Sequence, residues 1–357
     1  MKRRHFLAGM AAAAAAPGLS WADAGSPILL AAAREAAGGY ALFGIAADGS
    51  DAFRVPLPDR GHAAAAHPTH PEAVAFARRP GRFALVIDCV SGKVLREIEA
   101  PEGRHFYGHG AFIEDGEILC TTENDFSTGE GRIGFWARSE NWTRIGDIKT
   151  HGIGPHDVKR MANDVLVVAN GGIRTHPDKG RDKLNLMTME PSLTYLTPQG
   201  EMLEQVVLPY ELHHNSIRHL ALGPDGLVAF AMQWQGDPSA VVPLLGLHRR
   251  GQAAALAKVP PHEGAGMKGY AGSVAIDRTG RQVAITSPRG GKVQVFDARG
   301  RFSHSVARGD VCGIAPAPDG FFLSDGAGAL TCVTDHIIPL RVAEARAWDN
   351  HLIEVGA

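Results

Sequence analysis

The sequence predicts an all-β protein: a seven-bladed β-propeller closed by pairing of a C-terminal inner strand with the N-terminal strands. Three observations predict it. Short β-branched runs recur between turn signals, and no stretch after the N-terminus sustains a 3.6-residue apolar period. Seven strand openings share one residue column. The last apolar run, Asn350 to Val355, has no following strand to pair with, so it must pair with earlier ones.

One unit reads cleanly over 272–306. Gly272 to Asp277 is a strand, and Arg278-Thr279-Gly280 a turn. Gln282–Thr286, Lys292–Asp297 and Arg301–Val306 supply three more strands, joined by a loop at 287–291 and a turn at 298–300. Four antiparallel strands with tight connections make one propeller blade of the WD40/YVTN-like repeat kind. The same order returns around the turns Pro318-Asp319-Gly320, Pro224-Asp225-Gly226, Ala162-Asn163-Asp164 and Glu114-Asp115-Gly116. A longer turn through His67-Pro68-Thr69-His70-Pro71 follows the opening at Gly61-His62-Ala63-Ala64. Ile28–Ala32, Tyr40–Ala46 and Phe53–Leu57 are the N-terminal strands that the C-terminal strand completes.

The shared column holds His62, His109, His156, His219, Ser273, Gly313 and His351, at spacings of 38 to 63 residues. Two residues further on stand Ala64, Ala111, Val158, Ala221, Ala275, Ala315 and Ile353. Small side chains there suit an inner strand crowded by its neighbours around the axis.

Composition narrows the function. Gly 43 and Pro 22 are too many for a helical bundle, and 45% hydrophobic content is enough for a large core. A net charge of −2 argues against nucleic acid as a partner. Beyond the N-terminus no run of 18 apolar residues occurs, so no membrane span is expected, and the chain reads as a monomer.

The first 24 residues read as an export signal rather than as structure, leaving 25–357 as the propeller domain. Lys2-Arg3-Arg4-His5-Phe6-Leu7 precedes the apolar run Ala8–Ala16, and Ala22-Asp23-Ala24 supplies small residues where a signal peptidase cuts. The paired arginines followed by Phe-Leu resemble a twin-arginine signal, with Lys2 in place of the usual Ser or Thr. A periplasmic destination follows. Cys89, Cys120, Cys312 and Cys332 have no C-x-x-C spacing and sit in apolar runs, so buried thiols are expected rather than disulfides.

Histidine carries the chemistry. Five of the seven column residues are imidazoles, and an inner strand lines the axis, so they should converge on one mouth of the channel. Neutral imidazole is the common ligand of Zn, Cu, Fe and Ni. His105, His151 and His214 lie four or five residues upstream, in the expected connectors on the same face. The candidate metal ligands are therefore His62, His105, His109, His151, His156, His214, His219 and His351, for a transition metal (Fe, Cu or Zn) or haem. Ring histidines that merely bond channel water, or that descend from an ancestral blade, account for the column equally simply. Long loops over the same face carry Arg132, Arg174, Arg181 and the Gln233-Trp234-Gln235 run. Arg132, Arg174 and Trp234 are candidate cofactor or anionic-ligand contacts. No G-x-S-x-G or H-E-x-x-H occurs, so no catalytic residue is assigned. A docking scaffold without metal and a metal-dependent oxidoreductase or hydrolase remain as alternatives.

The twin-arginine start, the H-x-G/x-A strand openings, Asn170-Gly171-Gly172-Ile173-Arg174-Thr175-His176-Pro177 and the closing Asp349-Asn350-His351 together resemble one family. It is a family of twin-arginine-exported bacterial β-propeller proteins classed as a domain of unknown function. The resemblance spans the mature chain. Genes of that family often lie near imelysin-type iron-uptake genes, which implies iron acquisition and periplasmic iron-uptake proteins (imelysin-type) as partners. It carries over no catalytic residue.

Overall fold

The computed structural model describes residues 18–78, 82–180, 182–334, 336–343 and 345–356. The basic and apolar parts of the expected export signal, and Arg181, lie outside them. Seven antiparallel sheets are arranged as the blades of a propeller. Inner strands run Gly61–Ala66, Arg104–Ile113, Pro155–Arg160, Asn215–Leu222, Ser273–Ile276 and Val311–Pro316 in blades two to seven. Each is followed by three strands moving outward, and each packs on the inner strand of the next blade.

Blade one is composite. Leu29–Glu35, Tyr40–Ile45 and Asp51–Leu57 come from the N-terminus, and the inner strand comes from the C-terminus. That inner strand is in two pieces. Arg346–Trp348 pairs with 33–35, and Ile353–Glu354 pairs with Leu29 and Leu30. The expected continuous strand over 350–355 is thus broken at 349–352, the segment that carries His351. Closure by both termini leaves no unpaired inner edge in this sheet.

The core lies between blades. Alternate side chains of each inner strand enter the two flanking interfaces: Ala64 packs with Leu30, Leu42 and Ala75, while Ala65 packs with Val74, Phe106 and Leu119. Alanine fits there because neighbouring sheets converge towards the axis. Outward, where sheets diverge, Phe43, Phe76, Phe230 and Phe296 fill the wider space. The single α-helix among the described residues, Pro261–Gly266, belongs to the connection between blades five and six. All four cysteines are free; Cys89, Cys120 and Cys312 are buried and Cys332 half-buried. Burial pushes the Cys312 thiol up to about 12, so it is inert at neutral pH. Among the described residues no helix is long and apolar enough to cross a membrane.

Candidate metal centre

The backbone aims the histidines. An inner strand presents its edge to the axis, and a regular strand would send both side-chain rows into the flanking blade interfaces. In blades two, three, four and five the ladder to the second strand slips at or beside the histidine. The slips fall between Gly61 and Ala64, Phe106 and Gly110, Pro155 and Asp157, and Ile217 and His219. Such bulges re-aim a side chain. In blade one, His351 stands in the gap between the two inner-strand pieces. In blade three the slip contains Gly108 at φ +94°, a conformation that favours glycine. A Cβ there would lie 2.7 Å from the His62 ring, so glycine is also required by contact.

Five imidazoles meet inside the channel. His62, His109, His219 and His351 are buried, and His156 is partly exposed. Ring centroids around the perimeter are 5.9 Å apart for His62–His156, 4.7 Å for His156–His219, 4.6 Å for His219–His351 and 4.8 Å for His351–His62. His109 touches all four, at 4.9, 5.1, 5.5 and 4.9 Å from His62, His156, His219 and His351. It is the hub of a four-membered ring.

Asp157 sets the hub's orientation. Its carboxylate accepts from the Val158 N–H at 2.8 Å and the Leu220 N–H at 3.0 Å, and lies 3.3 Å from His109 Nδ1. Burial pushes the Asp157 carboxyl up, but the nearby Lys159 and the His109 contacts outweigh it and hold it well below the usual range. An ionised carboxylate on Nδ1 keeps the proton there and turns Nε2 inward as a lone pair. His109 Nε2 lies 3.2 Å from His62 Nε2.

The remaining rings are held neutral. Burial first, then neighbouring imidazoles and the Arg78 and Arg60 cations, push His62 well below its ordinary value. Burial and Arg218 do so for His156, burial and His109 for His219, and burial and His219 for His351. Neutral imidazole is the ligating form. His62 Nδ1, His156 Nδ1, His219 Nδ1 and His351 Nε2 are buried without a hydrogen-bond partner. Ligand nitrogens fall into two groups, each within 4.8 Å: His62–His109–His156 and His109–His219–His351.

The other expected site residues lie elsewhere. His105 is in the strand itself rather than a connector, bonded to the Phe106 carbonyl and to Asn124. His151 is exposed in a turn at φ +54°. His214 bonds the Leu186 carbonyl, and its ring lies tilted 3.9 Å from that of His213. None of the three belongs to either ligand group, because each ring nitrogen or its backbone is committed to its own loop or strand. Arg132 is ion-paired with Glu130 and Asp147, Arg174 bonds the Ser127 carbonyl, and the Trp234 indole bonds the Asp237 carbonyl. These contacts tie loops together, and none of the three reaches the five rings. Nor do the rings sit at the loop-covered mouth. They are inside the channel, and the cavity beside them follows the later halves of the inner strands towards the opposite, short-turn face. Sequence reasoning misses Asp157. It follows His156 directly, so the column position is itself the available signal.

Residues 55–355 match one family model, described as "Protein of unknown function (DUF1513)". No curated protein matches the sequence. Among solved structures, Kuenenia stuttgartiensis hydrazine synthase is similar at 14% identity and a TM-score of 0.60. That alignment covers 86% of this chain and 90% of the other. A protein of unknown function from Bacteroides caccae aligns at 12% identity and a TM-score of 0.48, over 79% of this chain and 94% of that one. At 14% identity the first likeness shows the propeller fold alone.

Proposed function

The chain belongs to the DUF1513 family, and from that premise we propose that it is a metal-holding propeller whose axial histidines bind one transition-metal ion. The observation that carries this reading is the two ligand groups that share His109, set among four buried ring nitrogens with no hydrogen-bond partner. A buried polar atom without a partner costs about 1–3 kcal/mol, and the cost recurs in four blades. A metal ion relieves that cost at the rings it engages by taking the lone pair of the ligating nitrogen. Tetrahedral ligation at 2.0–2.1 Å places nitrogens about 3.4 Å apart, close to the 3.2 Å between His62 and His109. Both ligand groups share His109, so one ion is held at a time, completed either by His62 and His156 or by His219 and His351. Ring centroids under 6 Å apart leave no slot for a macrocycle between the imidazoles, which favours a bare ion over haem. An all-imidazole set with a carboxylate behind it suits Zn, Cu or Fe.

Iron acquisition in the periplasm, after twin-arginine export and beside imelysin-type partners, is the setting we propose. It rests on the Arg3-Arg4 leader and on the family resemblance. The test is metal content by elemental analysis of protein isolated from the periplasm, with His109→Ala beside the wild type. Stoichiometric Fe, Cu or Zn that disappears in the variant supports the reading. A wild type without metal, or a variant with full occupancy, overturns it.

A further inference from the structure

Beneath the histidine ring lies a cavity of about 600 Å³, within the size range of small-molecule sites. Its wall is the later half of every inner strand, and its inner end is formed by His109, His219, His351 and Asp157. Arg160 and Ala162 on its rim are solvent-exposed, so it is reached from outside. The wall is apolar. Ala111 and Ala221 are partly exposed although they stand on innermost strands, and the surface they expose is the cavity's.

Charge along the cavity is unevenly committed. Asp157 is consumed by two backbone N–H groups and His109. Glu354 is paired with Arg278 at 2.9 Å, and Arg160 with Asp164. Lys159 is ion-paired with Asp157 at 3.6 Å, beyond hydrogen-bond distance, and its ammonium donates no hydrogen bond among the described residues. An alanine-rich barrel with an ammonium whose N–H donors are unused, beside a ring of imidazoles, is complementary to a small amphiphile with an anionic head.

We propose that this chamber binds a short-chain carboxylate, apolar body against the alanine wall and carboxylate on Lys159 and the metal's open position. The proposal deepens the metal reading and rests on it for the second of those two contacts. A set of three imidazoles leaves a fourth position of a tetrahedral ion free, and a carboxylate oxygen is an ordinary ligand there. Lys159 supplies a charge-assisted hydrogen bond to the other oxygen.

The experiment is calorimetric titration of the full-length protein, metal-free and Zn(II)-loaded, with hexanoate, hexylamine and 1-hexanol. Hexanoate should bind the loaded protein, with neither of the other probes matching it. Lys159→Met should weaken hexanoate about tenfold, and Ala111→Leu/Ala221→Leu, which fills the wall, should abolish its binding. The wall variant should keep wild-type Zn(II) stoichiometry, and wild-type circular dichroism of both variants reports that they fold. Equal binding of hexanoate and hexylamine, hexanoate indifferent to both variants, or no hexanoate binding in either form would overturn the chamber. Protein that takes no Zn(II) yet binds hexanoate with the same dependence on Lys159 overturns the metal reading and leaves the chamber standing.

Discussion

Blade six and its histidine-bearing neighbours differ in one backbone feature. In blade six, Ser273 pairs with Thr286 and the ladder runs on without a slip through Ile276 and Val283. In blades two to five the ladder slips at the corresponding place, and the side chain there leaves the sheet's faces for the axis. Blade seven slips too, between Val311 and Ile314, yet carries Gly313. A Cβ on Gly313 would stand 2.2 Å from Ser324 Oγ and 3.1 Å from Leu352, so that position has no room for a side chain. Residue type and backbone register are therefore separate requirements, and an imidazole reaches the axis only where both are met.

The largest effect expected concerns blade one, where the inner strand is broken instead of bulged. Deleting the last eight residues removes buried His351 and Leu352 and uncovers the edge at Leu29 and Leu30, leaving only Arg346–Trp348 on that strand. The truncated chain should fail to accumulate as folded protein, measured by circular dichroism and limited proteolysis. A cooperative transition near the wild-type Tm would break the closure argument.

Next is pH. His62, His156, His219 and His351 are held below the ordinary 6.5 in the folded state. The unfolded chain therefore binds more protons below pH 6.5, so stability is fully present above it and falls as the pH drops. Each imidazole removes up to about 1.4 kcal/mol per pH unit until its folded value is reached. Around the rings stand Asp157, Lys159, Arg60, Arg78 and Arg218; all but Asp157 are cations that oppose a second positive charge. Denaturant titrations of metal-free protein should show several kcal/mol lost between pH 7 and pH 5. His67 on the blade-two turn, pushed down to about 4 chiefly by burial, adds to the loss over the same fall in pH and down to about pH 4. A flat profile would contradict the neutral ring.

A smaller loss is expected from Gly108→Ala, about 1–3 kcal/mol for a non-glycine residue at positive φ, plus the push of the new methyl against His62. Thermal melts measure the first part. Weaker Zn(II) binding, greater than in a Gly103→Ala control that also has positive φ but open space around it, measures the second.

Least change is expected from Ser273→His. Blade six has the column position but no slip, so the added ring should not join the others, and metal affinity should stay within about twofold. An increase of tenfold or more would show that residue type alone suffices.

Much of this is legible in residue order. The seven openings give the blade count, because a repeat of strand, turn and strand leaves its spacing in the chain whatever the packing. The alanine column marks crowding near the axis, since Ala64, Ala275 and Ala315 do pack between blades. That five histidines share one level of the channel also follows from the column.

Other features depend on contacts between residues far apart in sequence. His105, His151 and His214 have the same sequence spacing to the column as true neighbours would, but Asn124, the turn at 151 and Leu186 hold them elsewhere. The partnership of His109 with Asp157 joins adjacent blades 48 positions apart, and nothing local distinguishes Asp157 from an ordinary strand carboxylate. Sequence by itself determined the number of blades, the closure by the two ends and the ring of imidazoles, because these follow from periodicity. Only the tertiary structure decided which histidine is the hub, which nitrogens are left without partners and which face the chamber opens on. Those depend on ladder slips of one or two residues and on side chains brought together across blades, and neither leaves a period in the chain.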